Sequence, residues 1–250
     1  LEGAAEEILS CGAAEAVITG IDVSSYNDGG RGLPALLLAV QNAPCRIRLG
    51  PLEVSAVPED LLCAAKQVRD FAPHFHLSLQ SGSDAVLKKM NRHYTGEEYL
   101  ARVELIRRHF PDAAITTDII AGFPTETEED FLQTCALARR AAFSQIHCFA
   151  YSRRTGTNAA KLRDLPAEVK HERLHRLLAL AEELRGAYEQ KFIGKTLEFI
   201  PEEQKEGCFV GYSENYIRLY APFGTVGQKV RVRAKERFRD GLLAGPEQVG

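Results

Sequence analysis

A chain of 250 residues, 45% hydrophobic and 26% charged, has the make-up of a folded protein with one large domain, or a large and a small one, and excludes a disordered or fibrous chain. The formal net charge of -3 excludes a polycation, so any nucleic-acid binding must come from a local basic surface. No apolar run reaches membrane-spanning length and no charged-then-apolar leader opens the chain, which points to a cytoplasmic protein with no membrane partner.

Leu1 is not an initiator methionine, and residues 1–11 have the pattern of an amphipathic helix, so further chain upstream is expected. From there to about Leu162, short apolar runs alternate with helical patterns. The strand-like runs are residues 16–21, 46–49, 75–79, 114–121 and 145–151. The clearest helical pattern is 97–110, where Tyr99, Val103, Ile106 and Phe110 recur at helical spacing. Thr95 with Glu98 three residues on predicts a capping box for it, and Pro58-Glu59-Asp60 predicts another helix start. Strands alternating with helices imply βαβ units and a parallel sheet.

Four of the five strand-like runs are followed at once by polar or glycine-rich residues: Thr19-Gly20-Ile21-Asp22, Gln80-Ser81-Gly82-Ser83-Asp84, Gly122-Phe123-Pro124-Thr125-Glu126 and Ser152-Arg153-Arg154-Thr155-Gly156. In (βα) barrels the site lies at the C-terminal rim of the strands. Glycine, serine and proline also form ordinary turns there, but the repetition favours a ligand-binding rim.

Residues 166–192 form a long helical pattern with Leu174, Leu177, Leu178, Ala181, Leu184 and Tyr188 on one face, as expected of a helix bridging two domains. From Gly194 the pattern changes to short alternating segments, 196–200, 208–212, 216–220 and 229–237, parted by turn-prone pairs; this predicts a small antiparallel β-barrel. The expected division is therefore 1–162, a connecting helix at 163–193, and 194–250.

Lys229, Arg231, Arg233, Lys235, Arg237 and Arg239 occupy every second position of the last segment. On a regular strand all six would project from one face, about 7 Å apart, close to the phosphate spacing of a nucleic-acid backbone. Val230, Val232, Ala234 and Phe238 would form the core face, interrupted by Glu236. A solvated edge strand carries the same residue types for solubility. Phe209, Tyr212, Tyr216 and Tyr220 are mainly core candidates, with stacking on unpaired bases as the alternative.

The six cysteines, Cys11, Cys45, Cys63, Cys135, Cys148 and Cys208, have no close pairs, which fits neither a disulfide framework nor a zinc site. Reduced thiols are expected.

Three blocks carry a resemblance: Ser78-Leu-Gln-Ser-Gly-Ser-Asp-Ala-Val-Leu-Lys-Lys-Met-Asn-Arg-His-Tyr-Thr95, Ile115-Thr-Thr-Asp-Ile-Ile-Ala-Gly-Phe-Pro-Thr-Glu-Thr-Glu-Glu-Asp-Phe131, and Phe149-Ala-Tyr-Ser-Arg-Arg-Thr-Gly-Thr157. In this order they resemble the radical S-adenosylmethionine methylthiotransferase family, and the segment from Gly194-Lys-Thr196 through Val210-Gly-Tyr-Ser-Glu-Asn-Tyr216 resembles the RNA-binding TRAM domain of those enzymes. Thr19-Gly-Ile-Asp-Val-Ser-Ser-Tyr26 is most similar to the branch acting on threonylcarbamoyladenosine beside the tRNA anticodon. Sister branches act on isopentenyladenosine in tRNA or on an aspartate of a ribosomal protein.

The resemblance implies an α/β fold: an incomplete six-stranded (βα) partial barrel binding S-adenosylmethionine, then a small all-β TRAM barrel. It implies two four-iron four-sulfur clusters in the whole enzyme, one of them held by a Cys-x-x-x-Cys-x-x-Cys loop. No such spacing occurs here, so the cluster ligands and the first strand are expected upstream. By the same resemblance Gly20 and Asp22 lie near the methionyl end of the cofactor. Gln80, Ser81, Gly82 and Ser83 face its ribose and methionine, while Asp118, Gly122, Phe123 and Tyr151 line the adenosine. Arg153 and Arg154, with the row Lys229 to Arg237, would meet RNA phosphate. The implied partner is tRNA, and a monomer is expected; the sulfur donor stays open. Thr125 and Thr155 depart from the family, standing where glycine and proline are common. A non-catalytic RNA-binding module is the competing reading.

Overall fold

A computed structural model describes residues 1–21 and 23–247. The chain opens with α1 (Glu2–Ser10), β1 (Glu15–Ile18), a tight hairpin β2 (Asn27–Asp28) and β3 (Arg31–Gly32), then α2 (Leu33–Ala39) and β4 (Arg46–Leu49). It continues through α3 (Glu59–Gln67), β5 (His74–His76), α4 (Asp84–Lys89), α5 (Gly96–His109), β6 (Ala114–Ala121), α6 (Glu128–Ala141) and β7 (Gln145–Ala150). β1 pairs with β4, and β5, β6 and β7 pair in order, all in parallel. Single bridges from Ile47 to Phe71 and from Leu52 to Leu77 join the two groups into one curved, open half-barrel.

Local signals explain the helix starts. Thr95 and Glu98 close the expected capping box on α5, and Thr127 with Asp130 closes a second on α6. Pro58 stands at the N-cap of α3. Two strand-like runs are shorter than their apolar patterns suggest. β1 ends at Ile18, where the Gly50 amide bonds to the Ile18 carbonyl, and Ile21 is fully exposed beyond it. β5 ends at His76, with the ladder resumed only by the bridge between Gln80 and Ile119.

α7 (Ala167–Gln190) belongs to both cores: Leu177, Leu180 and Leu184 are buried in the large one, and Tyr188 in the small one. Leu178, expected on the buried face, is exposed instead, and Leu180 takes the inward position. The small unit is a closed barrel of β8 (Thr196–Lys205), β9 (Cys208–Ser213), β10 (Arg218–Ala221), β11 (Val230–Phe238) and β12 (Gly241–Pro246), in the order β10-β12-β11-β8-β9. Its fifth strand was not expected, because its glycines and proline lack a strand's composition. Tight closure is what puts glycine there: a side chain at Gly241 would begin 2.1 Å from the Arg218 carbonyl oxygen, and one at Gly211 would begin 1.9 Å from that of Ile200.

The basic strand departs from the expected regular alternation. The ladder with β12 shifts register between Ala234 and Glu236, so Arg237 lies opposite the buried Leu242. Its guanidinium turns to Glu182 and Glu189 of α7, 2.6 and 3.0 Å away. Lys229 pairs with Asp70, Arg231 with Glu247 and Arg239 with Glu206. A single row of six cations is therefore not formed; exposed Arg231, Arg233 and Lys235 remain on the outer face.

The small barrel covers the N-terminal ends of the half-barrel strands, opposite the rim. Tyr216 stacks on His74 at the start of β5, with ring centroids 3.9 Å apart. Arg48 donates to the Ser213 carbonyl, and Asn215 donates to that of Asp112.

Candidate functional site

At the rim, Gln80 takes a left-handed backbone (φ 68) that a non-glycine residue adopts only when its surroundings enforce it. Its amide bonds to the Asp118 carbonyl and its carbonyl accepts from the Ile120 amide, which pins the loop to the end of β6. Gln80, Met90, Arg92, Ile120, Phe123 and Asn158 share a cavity of about 350 Å³. Phe123 packs edge-on against Tyr151, with centroids 5.5 Å apart.

The residues between these points have other work. Ser81 and Ser83 are buried; the Ser81 hydroxyl meets Thr134, and the Ser83 hydroxyl donates to Asp130 while capping α4. A Cβ at Gly82 would sit 2.6 Å from the Thr134 backbone, so the loop can lie on α6 only as glycine. These short side chains, expected to face a ligand, are turned by the loop into the body of the protein. Gly122 (φ 74) similarly backs onto Lys170 of α7, and its amide donates to Glu126. The Tyr151 hydroxyl is buried without a partner. Gly20 lies in a different cavity, of about 530 Å³, with Thr19, Val23 and Tyr26. Asp22 falls outside the described residues.

Asp118 points into the barrel rather than to the rim cavity. There it meets a polar ladder that the apolar strand patterns did not announce. His74 Nε2 and His76 Nδ1 lie 2.9 and 3.0 Å from the Thr116 hydroxyl; His76 Nε2 lies 3.3 Å from the Ser78 hydroxyl and 3.5 Å from Asp118 Oδ2. His147 is in register with Asp118 on the next strand. The hydrogen bond from His76 holds the Asp118 carboxyl below its usual range, against the opposing effect of burial. Burial pushes His74 well below the ordinary histidine value. The signal was present as polar residues at every second position, His74-x-His76-x-Ser78 and Thr116-x-Asp118, in runs read as apolar.

Arg153 and Arg154 are exposed in the loop after β7, where Arg153 donates to the Leu162 carbonyl. Among the described residues no three cysteines come together. Burial pushes the Cys45 and Cys148 thiols up to about 11, so neither is a ready thiolate. The residues present do not fit an iron–sulfur cluster.

An open parallel half-barrel with a polar interior and a glycine-rich rim is a fold that comparison can place. Residues 1–138 match the radical SAM superfamily, and the chain belongs to that superfamily. It is 37% identical over 227 residues to the threonylcarbamoyladenosine tRNA methylthiotransferase MtaB of Bacillus subtilis, covering 86% of this chain and 50% of that protein. The protein of the same name in Thermotoga maritima is 36% identical over 95% of this chain and 56% of its own length. A tRNA-2-methylthio-N(6)-dimethylallyladenosine synthase of Caldicellulosiruptor saccharolyticus is 40% identical over 78% of this chain and 43% of its own length. The chain thus spans about half the length of these relatives. Among solved structures, the radical SAM enzyme coproporphyrinogen III oxidase (HemN) of Escherichia coli superposes with a TM-score of 0.55 at 14% identity, over 90% of this chain and 55% of that one. That likeness is one of fold.

Proposed function

We propose that this chain is the cofactor-binding half-barrel and RNA-docking β-barrel of a tRNA methylthiotransferase that places a methylthio group on C2 of N6-threonylcarbamoyladenosine. The observation that carries the reading is its similarity to the Thermotoga protein across 95% of this chain, through both the half-barrel and the small barrel, which we read as a TRAM domain. S-adenosylmethionine, when bound, would supply the adenosyl group of a radical reaction. The rim cavity of about 350 Å³ lies within the range of small-molecule sites, roughly 300–1,000 Å³. It offers the Gln80 amide, for hydrogen bonds to a ribose or amino acid, and the Phe123 ring as apolar surface. Tyr151 would support Phe123 from behind. Ser81, Gly82, Ser83 and Gly122 would act by shaping the loops, and Gly20 would border the cofactor's methionyl end. Iron–sulfur chemistry belongs, in this reading, to the remainder of the enzyme.

Mass spectrometry of tRNA nucleosides from cells lacking the gene tests the substrate. Loss of the methylthio form of threonylcarbamoyladenosine alone is expected. Loss of the dimethylallyl form instead would move the protein to the sister branch, and an unchanged nucleoside profile would end the proposal. RNA docking by the small barrel is read from the exposed Arg231, Arg233 and Lys235. Arg231→Glu with Arg233→Glu should lower the slope of log affinity against log salt by about 2, near one per lost phosphate contact.

A further inference from the structure

We propose that His76, Asp118 and His147 form a binding site for one divalent transition-metal ion in the interior of the half-barrel, separate from any iron–sulfur cluster. The three side chains come from the adjacent parallel strands β5, β6 and β7, and one ligand atom from each lies within 4.8 Å of the other two. A metal with bonds near 2.1 Å needs ligand atoms about 3–3.5 Å apart. His76 Nε2 and Asp118 Oδ2 already stand at 3.5 Å. His147 is free to complete the set, because its ring nitrogens have no hydrogen-bond partner among the described residues and its ring is tilted against that of His76, centroids 5.9 Å apart. Closing the set from at most 4.8 Å to that spacing takes little more than about 1 Å.

Two features point to a ligand rather than to packing. The Thr116 hydroxyl holds His76 by Nδ1, leaving Nε2 turned to the Ser78 hydroxyl and the Asp118 carboxylate, and outer hydrogen bonds of this kind orient metal-binding histidines. Both histidines and Thr116 also line a cavity of about 380 Å³, so coordination positions opposite the protein ligands stay open. Two imidazoles and one carboxylate suit iron(II), cobalt(II) or zinc(II) better than calcium or magnesium, which prefer all-oxygen sets. The inference does not rest on the methylthiotransferase reading.

Cobalt(II) is the probe, because its absorption separates nitrogen and oxygen ligands from thiolates. The chain, purified free of iron, is titrated with cobalt chloride. His171 and His175 on α7, whose Nε2 atoms are 2.9 Å apart at the surface, form a rival site, so the titration is repeated with His171→Ala and His175→Ala together. One ion per chain is expected in both proteins, without a thiolate charge-transfer band. Asp118→Asn and His147→Ala should each weaken binding at least tenfold, with circular dichroism unchanged. Binding that survives both substitutions, that disappears with His171 and His175, or that carries thiolate bands would overturn the site. S-adenosylmethionine binding by the whole enzyme, measured separately, would be untouched by that failure.

Discussion

Gln80 holds its left-handed backbone between two hydrogen bonds to β6, and a glycine would adopt that conformation without strain. Gln80→Gly therefore separates the side chain from the loop. It should leave the melting temperature unchanged within a degree or two, and should weaken S-adenosylmethionine binding by the whole reconstituted enzyme about tenfold, the worth of one or two hydrogen bonds. Undiminished affinity in calorimetry would remove Gln80 from the contact set. His74 carries a different consequence. Its folded pKa is depressed by burial, so the unfolded chain binds the proton more readily. The stability it contributes is complete above about pH 6.5, the ordinary value, and declines as pH falls below it. His74→Phe keeps a ring against Tyr216 and should flatten urea-denaturation stability between pH 7 and 5; an unaltered slope would locate the pH sensitivity elsewhere.

Elements were legible in the sequence where their causes are local. The capping box of Thr95 and Glu98, the proline start of α3 and the parallel alternation all depend on residues a few positions apart. The roles of Ser81 and Ser83 were not legible, because Thr134 and Asp130 lie about fifty residues further on. The row of cations failed for a similar reason: one extra residue near Lys235 breaks the two-residue period, and alternation in sequence cannot reveal a bulge. Non-local locking also governs the loop after β6. Glu126 and Arg173, both nearly fully buried, join that loop to α7 through a 2.7 Å ion pair, while Glu126 accepts from the Gly122 amide. Glu126→Ala would leave a buried guanidinium without its main partner and should cost about 3–5 kcal/mol. Chemical denaturation measures this directly. A loss below about 1 kcal/mol would mean that Glu128, 3.5 Å from Arg173, takes over the pairing.

Across the whole molecule, the rim and the small barrel sit at opposite ends of the same strands, so β4 has two duties: its C-terminal end leads towards the rim and its N-terminal end anchors the second unit. Arg46, fully buried, lies among Asp70, Glu198 and Glu15, and donates to the Glu198 carbonyl on β8. Arg48 pairs with Glu15 through two bonds of 2.7 and 2.9 Å and reaches Ser213 on β9. These contacts, with Tyr188 in the small core and Leu184 in the large one, tie the two cores through side chains rather than through a shared sheet. Such an arrangement unfolds as one unit only while the ties hold. The intact chain is thus expected to melt in a single calorimetric transition. Arg46→Ala empties the space between three carboxylates, of which Asp70 and Glu198 keep Lys229 and Glu15 keeps Arg48, and should cost about 1.5–3 kcal/mol, with the small barrel melting as a separate, earlier event. Were the variant to keep one transition at the original temperature, the remaining contacts, among them Tyr216 on His74, Asn215 to Asp112 and Lys229 to Asp70, would suffice to join the two units, and Arg46 would lose its anchoring role.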